Sequence, residues 1–376
     1  MQQILFHQLI WKPMEPKKIK IIISGGGTGG HIYPAVAVAQ ELQNRIPEVE
    51  ILFIGARDRM EMEKIPKAGY KIIGLWISGF QRNLTFKNLL FPIKVISAVW
   101  KSLSILASFK PNAAIGFGGY ASGAMMWAAS MKKIPSVIHE QNSYAGITNK
   151  ILKNRVDTIC VAYEKMDRFF PENKIVKVGN PIRKDLMNVS GKKAEAISFF
   201  NLNPHFKTIL VIGGSLGART INESIFEGAE KFKNANLQVI WQTGKNFTKS
   251  TSIQNEWIKP YTFIYEMSLA YAVADIVISR AGALSIAELA QVQKPVILVP
   301  SPNVAEDHQT KNAMALVISE AAILVADKEA KQTLVNIAIE LASNEMTQAQ
   351  LKNNIATFAM PNAAKRIVDE ILRVME

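Results

Sequence analysis

A buried strand, a glycine-rich turn and a helix follow one another at once in this chain, and they do so twice. "KIIISGGGTGGHIYPAVAVAQEL" starts at Lys20 and "KTILVIGGSLGARTINESIFEGAEKF" at Lys207. A short unbroken β-branched run is what a strand covered on both faces requires, as in a parallel sheet with helices on either side. Between and after these copies, "VEILFIGA", "AAIGFG", "IPSVIHE", "TICVAY", "IVKVG", "LQVIWQTG", "YTFIYEM", "ADIVISRAG" and "KPVILVPSP" read as further strands alternating with helical patterns. The alternation predicts an α/β chain of two doubly wound, Rossmann-like domains in tandem. A chain of 376 residues is long enough for two cores. We place the domains at 14–182 and 195–362, with a linker opened by Asn180-Pro181 and a terminal helix over 363–376.

The turns carry the chemistry. Gly25, Gly27 and Gly30 fit G-x-G-x-x-G after a strand, with Pro34 placed to open the helix; such a loop brings backbone N–H groups up to an anionic or polar ligand. A nicotinamide dinucleotide also requires an acidic residue at the end of the second strand, and Asp58 stands a few residues late for it. The second copy supplies Gly213, Gly214, Ser215 and Gly217, and "ISRAGALSIAEL" puts Gly282 and Ser285 at a third helix start. Ligands of open parallel sheets bind at the carboxyl ends of the strands, so the expected site is a cleft between the two halves. Glu288 follows the third turn closely; beside an anion site, a carboxylate is suited to a ribose hydroxyl pair.

Composition narrows the partners. A net charge of +13 points to a polyanion, a phosphorylated substrate or an anionic membrane. The single cysteine, Cys160, excludes a disulfide framework and reads as a small core residue. The N-terminal segment lacks a basic n-region and a small-residue cleavage site, and is a poor signal peptide. The apolar stretch from Leu89 to Phe109 holds Pro92, Lys94 and Lys101, which disfavours a membrane span. Lys87, Lys94 and Lys101 recur at a seven-residue spacing, and Leu90, Phe91, Ala98 and Ile105 share their helix face, a pattern suited to lying in an anionic interface.

The motifs "GGGTGGHIYPAVAVAQEL", "GFGGYAS", "HEQNSYAGITNKIL", "VGNPIR", "GGSLGAR" and "ADIVISRAGALSIAEL", in order from about Ile19 to the C-terminus, resemble the MurG family, the UDP-N-acetylglucosamine:lipid I glycosyltransferases of bacterial peptidoglycan synthesis. The resemblance implies a GT-B fold, with the nucleotide sugar held mainly by the C-terminal domain and the lipid-linked acceptor by the N-terminal one. It implies that Thr28, Gly29, Gly30, Asn142, Arg183, Ser215, Ile264, Ala283, Leu284, Ser285, Ile286, Ala287, Glu288 and Gln309 contact UDP-GlcNAc, Ile264 through its backbone. Leu216, Asp307 and His308 depart from the residues usual in the family, and the first 13 residues have no counterpart there. It further implies a peripheral enzyme on the cytoplasmic face of the inner membrane, with cell-wall and division proteins as possible partners and no nucleic acid.

Inverting transfer to the C4 hydroxyl of MurNAc requires a base. His31 is the first candidate, with Glu140 and His139 at the end of "IPSVIHE" as residues that orient the acceptor or share the proton. His308 is read as a loop histidine, and His7 and His205 as surface residues. No Asp-x-Asp motif occurs, so metal ions and other cofactors are not expected; Arg183 and helix N-termini would stabilise the leaving diphosphate. The competing readings are a 2-epimerase or other transferase using the same donor, and a non-catalytic nucleotide-sugar sensor.

Overall fold

The computed structural model describes residues 18–79, 90–214 and 216–376, and shows two parallel sheets. The first contains β1 (Lys20–Ser24), β2 (Glu50–Ala56), β3 (Lys71–Leu75), β4 (Ala113–Gly116), β5 (Ser136–Glu140), β6 (Thr158–Val161) and β7 (Ile175–Lys177). The second contains β8 (Lys207–Ile212), β9 (Leu237–Gln242), β10 (Ile258–Tyr261), β11 (Ile276–Ser279), β12 (Val296–Leu298) and β13 (Ile323–Leu324). Their orders are β3-β2-β1-β4-β5-β6-β7 and β10-β9-β8-β11-β12-β13, and the ladders are parallel. Both orders reverse next to the glycine-loop strand, between β1 and β4 and between β8 and β11. At such a switch point the loops diverge and leave a crevice for a ligand. The central strands are buried on both faces, Ile21, Ile22 and Ile23 completely, which is why they read as unbroken apolar runs.

Several elements differ from the sequence reading. The first helix starts at Gly29, so Pro34 lies inside it and His31 occupies its opening turn. The amides of His31 and Ile32 both reach Thr28 O, closing that turn ahead of the proline. "YTFIYEM" is not a strand: β10 ends at Tyr261, and Met267 already opens a helix. The backbone bends there because the Ile264 N–H donates to a side chain, Gln242 Oε1 (3.0 Å), instead of a ladder. β3 and β13 were not anticipated; both are edge strands and only partly buried, which weakens the apolar signal.

The helix Phe91–Phe109 corrects the expected membrane face. Ala98 and Ile105 point into the core, while Ile93, Ile96 and Trp100 (73% exposed) form the outward stripe. Positions three and seven apart share a helix face, so the apolar stripe lies to one side of the lysine row. Lys94 stands on its shoulder, over the Trp76 ring and donating to Ser78 Oγ (2.9 Å). The helix is long and apolar enough to cross a membrane by length and composition alone. Lys87 lies outside the described residues.

The helix Ala363–Arg373 follows the second sheet in the chain yet packs against the first. Ile367, Val368 and Ile371 are fully buried beside Ile21, Ile23 and Val38, worth about 1.5–3 kcal/mol per side chain. Arg373 donates to Thr158 Oγ1 (2.7 Å), and Arg45 pairs with Asp369. The chain thus crosses twice between its halves, and the terminal helix ties the second half back to the first.

Candidate active site

The first wall is built by the loops after β1, β4 and β5. Gly27 has φ +85°, a conformation glycine adopts freely, and a Cβ on Gly25 would come within 2.9 Å of Phe117 Cβ. The chain therefore folds tightly enough for His31 to reach back to its own loop, its Nδ1 2.8 Å from Gly26 O. A carbonyl only accepts, so Nδ1 carries the proton and Nε2 keeps its lone pair. Nε2 lies beside Gly118, where a Cβ would stand 3.0 Å away. Burial pushes the His31 imidazole below its ordinary pKa, against the Gly26 carbonyl and the Glu140 charge, which favour the protonated form. The ring is accordingly neutral at neutral pH, the state a base needs.

His139 and Glu140 have other duties. His139 is completely buried; its Nε2–H donates to Gly179 O (2.9 Å) and its Nδ1 accepts from Gln141 Nε2 (3.1 Å). Burial lowers its pKa to about 4. Both ring nitrogens are occupied by the protein, so the geometry favours His31 over His139 for contact with a substrate. Glu140 Oε1 accepts from the Asn142 amide (3.1 Å) and Asn142 Nδ2 (3.3 Å), and Oε2 from the Gly146 amide (3.0 Å) and Asn149 Nδ2 (2.8 Å). A carboxylate so engaged shapes the loop after β5 and acts on His31 through its charge.

That loop also meets the second half of the chain. Asn312, 0% exposed, accepts at Oδ1 from the Ser143 amide (2.9 Å) and hydroxyl (3.1 Å), and its Nδ2 donates to Asn142 Oδ1 (3.1 Å). Lys311 stands 3.3 Å from the Tyr144 ring centre, and Asn180 Nδ2 donates to Gln141 O (3.0 Å) and Ala283 O (3.4 Å). Sequence reasoning missed Asn312 and Asn180 as bridging groups between the halves, and Asn149 as a brace of Glu140. An asparagine gives no periodic signal, and only contact across the chain reveals its partners.

The opposite wall starts at the helix Ala283–Val292 after β11. Ala283 and Ile286 turn inward and, with Ala287, line a small cavity against Asn180 and Tyr163; Leu284, Ser285 and Glu288 remain partly open. Glu288 Oε1 is 3.8 Å from Arg183 Nε, and its Oε2 accepts from Tyr271 OH (3.2 Å). Burial raises the Glu288 carboxyl to about 7 in spite of Arg183 and Tyr271, which favour its ionised form. Arg183 is half exposed, so its guanidinium keeps donors for an anion. Gln309 Oε1 accepts from the Ser301 amide (2.8 Å), and the buried Ile264 donates its amide to Gln242 Oε1 (3.0 Å). Thr28, Gly29 and Gly30 form the start of the helix that carries His31. Ser215 lies outside the described residues.

Two Rossmann-like parallel sheets, with an imidazole at the first glycine turn and an arginine beside a helix N-terminus of the second half, have the GT-B architecture of nucleotide-sugar glycosyltransferases. Residues 21–161 match the glycosyltransferase family 28 N-terminal domain and residues 208–367 the family 28 C-terminal domain. The chain is 55% identical over 362 residues to the UDP-N-acetylglucosamine–N-acetylmuramyl-(pentapeptide) pyrophosphoryl-undecaprenol N-acetylglucosamine transferase of Cytophaga hutchinsonii, covering 96% of this chain and 98% of that one. It is 50% identical to the enzyme of the same name from Parabacteroides distasonis, over 96% of this chain and 99% of that one. The crystal structure of Acinetobacter baumannii MurG superposes with a TM-score of 0.76 at 27% identity, covering 95% of this chain and 99% of that one. A UDP-GlcNAc 2-epimerase from Neisseria meningitidis shares the fold (TM-score 0.65) at 18% identity, covering 95% and 100%. The chain belongs to the MurG family of UDP-N-acetylglucosamine transferases.

Proposed function

We propose that the chain joins C1 of GlcNAc to the C4 hydroxyl of MurNAc in undecaprenyl-diphospho-MurNAc-pentapeptide, with His31 as the base and UDP as the leaving group. In this reading Nε2 of His31 takes the hydroxyl proton as the acceptor oxygen bonds to C1 from the face opposite the departing phosphate, so the anomeric centre inverts. The C1–O bond to UDP breaks in the same displacement. Arg183 and the N-terminal turn of helix Ala283–Val292 receive the negative charge that develops on the diphosphate. Glu288 accepts the ribose hydroxyls, and the Ile264 backbone meets the uracil.

The observation that carries this reading is the 2.8 Å contact of His31 Nδ1 with Gly26 O: a carbonyl can only accept, so the neutral ring carries its proton on Nδ1 and has Nε2 as its basic atom. Transfer of radiolabelled GlcNAc from UDP-GlcNAc to a lipid I analogue, with the product identified by chromatography, tests it. His31→Ala should lower turnover about 10²–10⁴-fold, the usual contribution of a general base, and leave UDP binding intact. Full turnover in that variant removes His31 from the mechanism. The nucleotide-sugar sensor and the 2-epimerase both predict no labelled disaccharide lipid.

The outward stripe Ile93, Ile96 and Trp100, with Lys94 and Lys101 on its shoulder, supports peripheral docking on an anionic cytoplasmic leaflet, where the lipid acceptor resides.

A further inference from the structure

We propose that Glu61 is a positioning residue for His31, acting through the single peptide group between Gly26 and Gly27. The inference rests on the reading of His31 as the base. Glu61 opens the short helix Glu61–Lys67 after β2, and its side chain turns back beneath the first glycine loop, fully buried. Oε2 accepts from the Gly27 amide (2.9 Å) and Oε1 from the Ala56 amide (3.0 Å). A Cβ on Gly26 would overlap this carboxylate, and one on Gly55 would come within 2.6 Å of Glu61 Cγ. At these two positions the missing side chains make room for a carboxylate of the chain itself.

The Gly27 N–H and the Gly26 C=O belong to one amide. Its N–H donates to Glu61, and its C=O accepts from His31 Nδ1. A carboxylate on the N–H side draws electron density toward the carbonyl oxygen and strengthens it as an acceptor, because hydrogen bonds in a chain polarise one another. The proton is thereby held on Nδ1, and the imidazolium formed when Nε2 takes the acceptor proton is stabilised. The carboxylate itself takes no proton. The arrangement places a peptide group where a catalytic triad has direct contact between carboxylate and imidazole. The ionisable groups acting on His31 are Glu61, Glu140 from β5, His139 beside it, and His308 from the second half. The two carboxylates favour the charged ring, and His308 opposes it.

The test compares kcat/KM against pH and the ¹⁵N histidine spectra of the full chain in wild type, Glu61→Gln, Glu61→Asp, His31→Ala and the Glu61→Gln/His31→Ala pair. Glu61→Gln should lower kcat about tenfold or more, move the acid limb to lower pH, reduce the Nδ1–H population and leave UDP affinity unchanged. Added to His31→Ala, it should cost nothing further. Glu61→Asp keeps the charge, so its acid limb should stay near that of wild type while kcat falls. A merely bracing role predicts lower thermal stability with the acid limb and tautomer unmoved, which overturns the proposal; so does a loss that adds in full to that of His31→Ala. If Glu61→Gln does not fold, an unchanged kcat in Glu61→Asp overturns it. Wild-type turnover in His31→Ala instead refutes the base assignment itself.

Discussion

Glu288→Gln should stabilise the empty protein above neutral pH and weaken its hold on nucleotide there, and both effects should fade as the wild-type carboxyl takes up its proton. The carboxyl is raised from 4.5 to about 7, first by burial and further by Asp185. At about 1.4 kcal/mol per pH unit, this sets an upper limit of about 3 kcal/mol on the cost of ionising it in the fold. Below pH 4.5 the group is protonated in folded and unfolded chains alike and contributes nothing. Between 4.5 and 7 the unfolded chain releases its proton while the folded chain keeps it, so stability falls as pH rises; above 7 the full cost is present. Glutamine never pays it. Thermal unfolding of the empty proteins should give equal midpoints near pH 4.5 and a variant higher by a few degrees at pH 8, at about 2–4 °C per kcal/mol for domains of this size. Saturating UDP should narrow or cancel the difference at pH 8, because a hydrogen bond from ribose to a charged acceptor is worth about 1.5–3 kcal/mol, similar to the cost of ionisation. A midpoint difference that stays constant from pH 4.5 to 8 refutes the argument, as does UDP affinity at pH 8 equal to that of wild type.

Three further outcomes are expected. Asn312→Ala leaves the Ser143 amide and hydroxyl without their shared acceptor, and calorimetry should record a loss of about 1–3 kcal/mol, with a raised KM for donor because both walls of the cleft meet there. Ile96→Asp combined with Trp100→Asp removes two exposed apolar side chains worth about 1.5–3 kcal/mol each on burial; flotation with anionic vesicles should be lost while turnover of a short-chain acceptor persists. Dialysis against EDTA should leave the transfer rate unchanged, since the leaving charge is assigned to Arg183 and backbone amides; a loss restored by a divalent cation would reject that assignment.

The sequence alone determined the covered parallel strands, because burial on both faces demands unbroken apolar runs such as Ile21–Ile23, and it located the glycine turns, because a tight turn between strand and helix excludes side chains. It also singled out His31 and Glu288 as candidates from residue type and place in the turns, and Arg183 through the family resemblance. Tertiary structure decided what those residues face. Which of His31 and His139 retains a free nitrogen depends on Gly26, Gly179 and Gln141, partners that hydrogen bonding selects only after folding. The same holds for the outward side of helix Phe91–Phe109, where packing of Ala98 and Ile105 leaves Ile96 and Trp100 outside. The carboxylate beneath the first loop belongs here too, since Glu61 and Gly27 are joined only through the β1–β2 pairing. Local pattern records burial and backbone conformation, whereas the partner of a polar group is set by distances that only the closed chain defines.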